Sequence, residues 1–144
     1  MIRKFETRDL DAVTQIWLHG NLDAHAFIAA SFWTEHFEMV RDMLPQAELY
    51  VHENEATRQI DGFIGLTENH IEGIFVAKAA RSKGIGRALL EYAKLRKPRL
   101  TLSVYQKNQR ALAFYRREQF VVQSEGIDGD TNEAEIQMLW TRQA

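Results

Sequence analysis

The order of strand and helix signals in this 144-residue chain predicts a mixed α/β sheet of about seven strands flanked by four helices. Three observations carry that expectation. Strand candidates at 48–52, 60–66 and 70–77 follow one another with only short polar turns between them, so they pair as an antiparallel meander. A helical segment separates the strand at 70–77 from the next one at 100–105, which makes those two parallel through a right-handed crossover. Helical stretches before, within and after this set cover both faces of the sheet.

In order along the chain, residues 2–6 read as a short first strand. Thr7, Arg8 and Asp9 then offer caps to a helix with Leu10, Val13, Ile16 and Trp17 at helical spacing, ending near His19 and Gly20. After a loop with His25 and Phe27, Ser31 is placed to cap a second helix, whose Trp33, Phe37, Val40 and Leu44 share a face and which Pro45 stops. The polar segment 53–59 joins the strands at 48–52 and 60–66 as a hairpin. A third helix starts near Gly84 with an apolar stripe of Ile85, Ala88, Leu89, Tyr92 and Ala93, and ends before Pro98. The strand at 100–105 leads into a helix over about 109–118. Short strands at 120–122 and 136–140 follow, with the acidic stretch 125–135 as a solvated loop between them. The length suits one domain over 1–144, whose 45% hydrophobic content can build a core by burying about 70% of the unfolded surface.

Composition excludes several chemistries. A net charge of −2 argues against a nucleic-acid-binding protein, which would be markedly basic. With no cysteine, a disulfide scaffold, a thiolate metal site and a cysteine nucleophile are all ruled out, and the expected compartment is a reducing cytoplasm. The first residues carry no apolar leader segment, and no window reaches the roughly 20 apolar residues that span a bilayer.

The most informative segment is 70–86, where an apolar strand feeds the turn Arg81-Ser82-Lys83-Gly84-Ile85-Gly86 and opens a helix. Main-chain N–H groups at a helix start lack intrahelical partners and carry about half a positive charge, so they attract phosphate. Gly84 and Gly86 let an anion come close, and Arg87 adjoins them. A dinucleotide-binding turn does not fit, because position 89 is leucine rather than the third glycine and no acidic residue stands near 104–106. A Walker loop fails for want of Gly-Lys-Ser/Thr.

Arg81-Ser82-Lys83-Gly84-Ile85-Gly86 after the fourth strand, together with Asn108-x-x-Ala111-x-x-Phe114-Tyr115-x-x-x-x-Phe120, resembles the two signatures of the GNAT superfamily of acyl-CoA-dependent N-acetyltransferases. The resemblance spans nearly the whole chain. It implies the GNAT fold and acetyl-CoA as cofactor, with no metal. The pyrophosphate would lie on the amides of Arg81, Ser82, Lys83, Gly84, Ile85, Gly86 and Arg87. The pantetheine arm would pair with the strand around Ile74, Phe75 and Val76, with Asn108 and Phe114 beside it. Tyr115 would point its hydroxyl at the thioester sulfur, and a backbone N–H within 74–76 would stabilise the oxyanion.

A lysine-like amine with a pKa near 10.4 is neutral in about one molecule in 2,500 at pH 7, so some group must take its proton. By the same resemblance Glu72, four positions before Val76, is the first candidate, and strand alternation places it on the face of Ile74. His70, two residues earlier on that face, competes through its pKa near 6.5, and water is a third route. Tyr115 would protonate the departing thiolate. The acceptor walls would come from the first two helices and the loop before the last strand, segments that contain His19, Asp23, His25, Phe27, Trp33 and the run 125–135. The expected acceptor is a primary amine on a protein lysine, an N-terminus or a small molecule, and the expected state is a monomer or homodimer. A non-catalytic acyl-CoA sensor is the alternative; an RNA-acetylating enzyme would need a basic docking surface.

Overall fold

The computed structural model describes residues 1–143. Its strands are β1 (Ile2–Lys4), β2 (Glu48–Glu53), β3 (Ile60–Thr67), β4 (His70–Val76), β5 (Arg99–Tyr105), β6 (Val121–Ile127) and β7 (Ala134–Thr141). Its α-helices are α1 (Leu10–Ala24), α2 (Ala30–Met43), α3 (Ile85–Arg96) and α4 (Gln109–Arg117). The strands form one sheet in the order β1-β2-β3-β4-β5-β7-β6, with β4 and β5 parallel and the other neighbours antiparallel. The expected meander and parallel crossover are both present.

The sheet separates two apolar layers. On one face Ile64, Leu66, Ile71, Leu100, Leu102 and Met138 pack with Leu89 and Leu90 of α3 and with Leu112 and Tyr115 of α4. On the other face Leu49, Val51 and Phe63 pack with Val13 and Ile16 of α1. Burying each large aliphatic side chain contributes about 2 kcal/mol, so both layers hold the sheet flat against its helices. The short first strand is fastened to the helical layer by Arg3, which bridges Asp9 at 2.8 Å and Glu53 at 3.0 Å.

Several boundaries differ from the sequence reading. Helix α1 does not stop at Gly20 but runs to Ala24. A Cβ at Gly20 would lie 2.9 Å from the Phe75 ring, so this glycine serves close approach of α1 to β4 rather than helix termination. Ser31 does not cap α2; Ala29 occupies the N-cap without a side-chain bond. Of the acidic run 125–135 only the central residues 128–133 form a loop. Its ends belong to β6 and β7, which pair from Val121↔Leu139 to Ile127↔Ala134, so the last two strands are longer than their apolar residues suggest.

The feature that positions the site is a bulge in β4. Leu66 pairs with Ile71 and Gly65 with Gly73, leaving Glu72 as the extra residue. Ile71 before the bulge and Ile74 after it both face the layer under α3, three residues apart, whereas Phe75 turns to the α1 layer. Strict alternation is therefore broken at Glu72. Its Cβ lies 3.9 Å from where Gly65 would carry one, on the α1 side. Glu72 and Ile74 accordingly occupy opposite faces, which corrects the same-face expectation.

Candidate active site

Strands β4 and β5 pair only at His70↔Thr101 and Ile71↔Leu102, then diverge from the bulge onward. Between them opens a cleft of about 1420 Å³ that runs from the start of α3 to the α1–α2 connection. Main-chain alternation defines its edge. The Ala77 N–H bonds Asp61 O at 2.8 Å on the β3 side, so Gly73 and Phe75 also direct their backbone groups there, and Ile74 and Val76 direct theirs toward the opening.

At one end of the cleft lies the start of α3. Ser82 and Gly84 adopt left-handed φ of 66° and 81°, a pair of inversions that turns the backbone of 81–86 inward. No side chain caps α3, and its first main-chain bond runs from Ala88 N–H to Gly84 O at 3.0 Å. The N–H groups of Ile85, Gly86 and Arg87 precede that bond and stand free at the positive end of the helix. At Gly86 an added Cβ would stand 3.7 Å from Phe114 and 3.8 Å from Val76, so the missing side chain leaves the cleft floor clear. Arg81 reaches Val76 O at 3.3 Å and Asp23 at 3.4 Å, spanning the opening from β4 to α1.

Further along, Asn108 caps α4 by accepting the Ala111 N–H at 3.2 Å, and its Nδ2 lies 3.2 Å from His25 Nε2. Tyr115 is buried against the rings of Phe114 and Phe120 but reaches the cleft wall. Burial pushes its phenol well above the ordinary value, so it stays protonated.

The opposite end, under the α1–α2 connection, is aromatic and acidic. His25 stacks on Trp33 with centroids 5.5 Å apart and meets the Tyr105 ring edge-on at 5.0 Å. Trp33 buries its Nε1–H without a hydrogen-bond partner among the described residues. Tyr105 donates to Asp128 at 2.6 Å, and Glu135, paired with Tyr105 in the sheet, accepts from Gln137 at 3.3 Å. Burial, then the nearby Asp128 charge, raise the Glu135 carboxyl above the usual range, with Gln137 and His70 opposing.

Of the residues expected at the site, Glu72, Ile74, Phe75, Val76, Arg81, Ser82, Gly84, Ile85, Gly86, Arg87, Asn108, Phe114 and Tyr115 line this cleft, and Lys83 and His70 do not. The Phe75 backbone is turned to β3, and its ring stacks on Phe63 at 5.2 Å beside Gly20 and Gly73. His70 stands at the closed end of the β4–β5 pair, with Nδ1 2.9 Å from Thr101 Oγ1. Of the acceptor candidates, Asp23, His25 and Trp33 line the cleft and His19 and Phe27 stay outside it. Tyr105 and Asn21 were missed. Tyr105 was legible as the last residue of a parallel strand, the end where α/β sites form.

A family model described as an acetyltransferase (GNAT) domain matches residues 45–122, the part that builds β2 to β5, α3 and α4. The chain belongs to the GNAT acetyltransferase family. It is 38% identical over 122 residues to the peptidyl-lysine N-acetyltransferase YiaC of Escherichia coli K12, covering 83% of this chain and 82% of that protein. The solution structure of apo YjaB from Escherichia coli superposes with a TM-score of 0.86 at 30% identity, covering 96% of this chain and 95% of that one. A structure of YncA from Salmonella typhimurium with its cofactor acetyl-CoA shares the fold at a TM-score of 0.68 and 18% identity, covering 100% and 95%. This GNAT chain is thus an N-acetyltransferase, and an acyl-CoA fits its cleft: free α3 amides suit a diphosphate, and the unpaired edge of β4 suits an extended amide arm.

Proposed function

We propose that this chain is a protein-lysine N-acetyltransferase, carried by one domain and working in the cytoplasm. The observation that carries the reading is the two-ended cleft. One end offers uncapped backbone donors and the other an aromatic wall with carboxylates, so a diphosphate and an alkylammonium are drawn to opposite ends of one channel. The names of its curated relatives support a peptidyl lysine as the acceptor. The lysine's methylenes would lie on Trp33 and Tyr105, and its ammonium beside Glu72 and Glu135.

Acetyl-CoA supplies the acyl group as a thioester with a leaving thiol of pKa about 8.5. The amides of Ile85, Gly86 and Arg87 would hold its diphosphate, and the backbone of Ile74 and Val76 would pair with its arm and supply an N–H to the acyl oxygen. Deprotonating the ammonium costs roughly 4.6 kcal/mol at pH 7, and Glu72, brought to the cleft by the bulge, takes that proton directly or through water. Because burial holds the Tyr115 phenol less acidic than a thiol, Tyr115 serves as a hydrogen-bond donor to the departing sulfur more than as a full proton source.

The test is product identification by mass spectrometry after incubating the protein with acetyl-CoA and three acceptors: a lysine peptide with blocked N-terminus, a lysine-free peptide with a free N-terminus, and a polyamine. A mass gain of one acetyl group on the lysine peptide alone is the expected result. Acetylation only of the free N-terminus or the polyamine overturns the lysine assignment, and no product with any amine overturns the catalytic reading of the cleft.

A further inference from the structure

His25, at the end of α1, uses both ring nitrogens in a chain of side-chain contacts that crosses the cleft. Nδ1 lies 3.0 Å from Asn21 Oδ1, and Nε2 lies 3.2 Å from Asn108 Nδ2. We infer that His25, held as the neutral Nδ1–H tautomer, is a positioning residue that aims the Asn108 carboxamide into the cofactor half of the cleft. The inference rests on the acetyl-CoA reading of that half.

The proton positions follow from the ends of the chain. Asn21 Nδ2 donates to the Trp17 carbonyl at 2.9 Å, so the Asn21 oxygen faces His25 and requires a donor there, the Nδ1–H. Nε2 then carries a lone pair and accepts from Asn108 Nδ2. At the other end Asn108 Oδ1 accepts the Ala111 N–H at 3.2 Å, which fixes the amide in the same sense. The rings around His25 are Trp33, Phe27 and Tyr105, apolar faces and edges that leave it neutral, in keeping with a pKa lowered to about 4 by burial. With its oxygen held by α4 and one N–H held by His25, Asn108 has a single N–H left. That N–H is free to donate to a hydrogen-bond acceptor, such as a carbonyl oxygen of an amide-bearing arm.

Two substitutions at position 25 separate positioning from mere packing. Asparagine places its amide where Nδ1 was, so His25→Asn keeps the bond to Asn21 and loses the one to Asn108; glutamine places its amide oxygen where Nε2 was and keeps Asn108 fixed. The expected result by calorimetry is an acetyl-CoA Kd about tenfold weaker in His25→Asn and within about twofold of wild type in His25→Gln. Equal affinity for wild type and His25→Asn overturns the inference, as does an equal loss in both variants. Nitrogen-15 NMR of the wild-type histidine provides a readout independent of any variant's folding: an Nε2–H tautomer or an imidazolium at pH 7 overturns the assignment. If wild type itself gives no heat with acetyl-CoA, the cofactor reading fails, whatever the tautomer.

Discussion

The helices α3 and α4 begin on the same cleft and treat their first turns in opposite ways. Asn108 satisfies α4 from within the chain by accepting the Ala111 N–H, whereas α3 starts at Gly84 with no side-chain cap and three free amides. Free donors at a helix start are ordinarily a loss of about 1 kcal/mol that a Ser, Asp or Asn removes. A glycine with φ of 81° stands at that position instead, preceded by a left-handed Ser82, and even a Cβ there would meet nothing within 4 Å. The contrast teaches where this fold leaves room for binding: α4 is closed from within, whereas α3 keeps donors that a bound anion would complete.

The largest effect comes from filling the α3 end. Gly86→Leu pushes a side chain between Val76 and Phe114 onto the cleft floor, and acetyl-CoA binding should become undetectable by calorimetry while far-UV circular dichroism stays native. Next is the α4 side of the chemistry. Tyr115→Phe keeps the ring contacts with Phe114 and Phe120 and removes only the hydroxyl, so kcat should fall about a hundredfold with the acetyl-CoA KM unchanged. Because burial raises this phenol, the wild-type rate should show no loss from tyrosine ionisation up to pH 10.

The network that braces α4 predicts a pH effect on stability. His25 has a pKa of about 4 in the fold against 6.5 in an unfolded chain, lowered by burial. Above pH 6.5 both states are neutral and the full stability is present. As pH falls from 6.5 to 4 the unfolded chain binds a proton that the native ring refuses, so stability is lost, and below 4 the loss is complete. For a partly exposed ring this amounts to about 1–2 kcal/mol. Urea denaturation at pH 7 and pH 4.5 should show that extra loss in wild type and not in His25→Gln, which cancels the carboxylates common to both.

Much of this arrangement was readable beforehand, and the reasons it was or was not are local. The 70–86 and 108–120 segments carry their structure in near-neighbour chemistry: strand alternation, a glycine turn, an N-cap and a helical face. They located the diverging strands, the open α3 start and Tyr115. The bulge at Glu72 was invisible because it arises from pairing with Gly65 and Leu66, not from its own residue type, and it reversed the face on which Glu72 was placed. Gly20 misled because a helix stop and a close helix–strand contact call for the same residue. Glu135 and Asp128 lay in a run named as an acceptor wall but read as a solvated loop, since it is pairing across the sheet that sets Glu135 opposite Tyr105 on β5 and the turn between β6 and β7 that brings Asp128 to the Tyr105 hydroxyl.

The smallest effects sharpen the comparison most, because the two glycines at the start of α3 should respond with opposite signs in stability. At Gly84 a Cβ meets nothing within 4 Å, yet φ of 81° makes any L side chain costly, so Gly84→Ala should lower stability by about 1 kcal/mol. At Gly86, inside the first helical turn, a methyl finds only ordinary contacts at 3.7–3.9 Å and gains helix propensity, so Gly86→Ala should raise stability by about 0.5 kcal/mol. The same methyl intrudes on the floor where a diphosphate would rest, so Gly86→Ala should weaken acetyl-CoA binding several-fold as it stabilises the free protein. A Gly86→Ala protein that melts higher and binds as tightly as wild type would mean that the free amides of α3 are not where the cofactor is held.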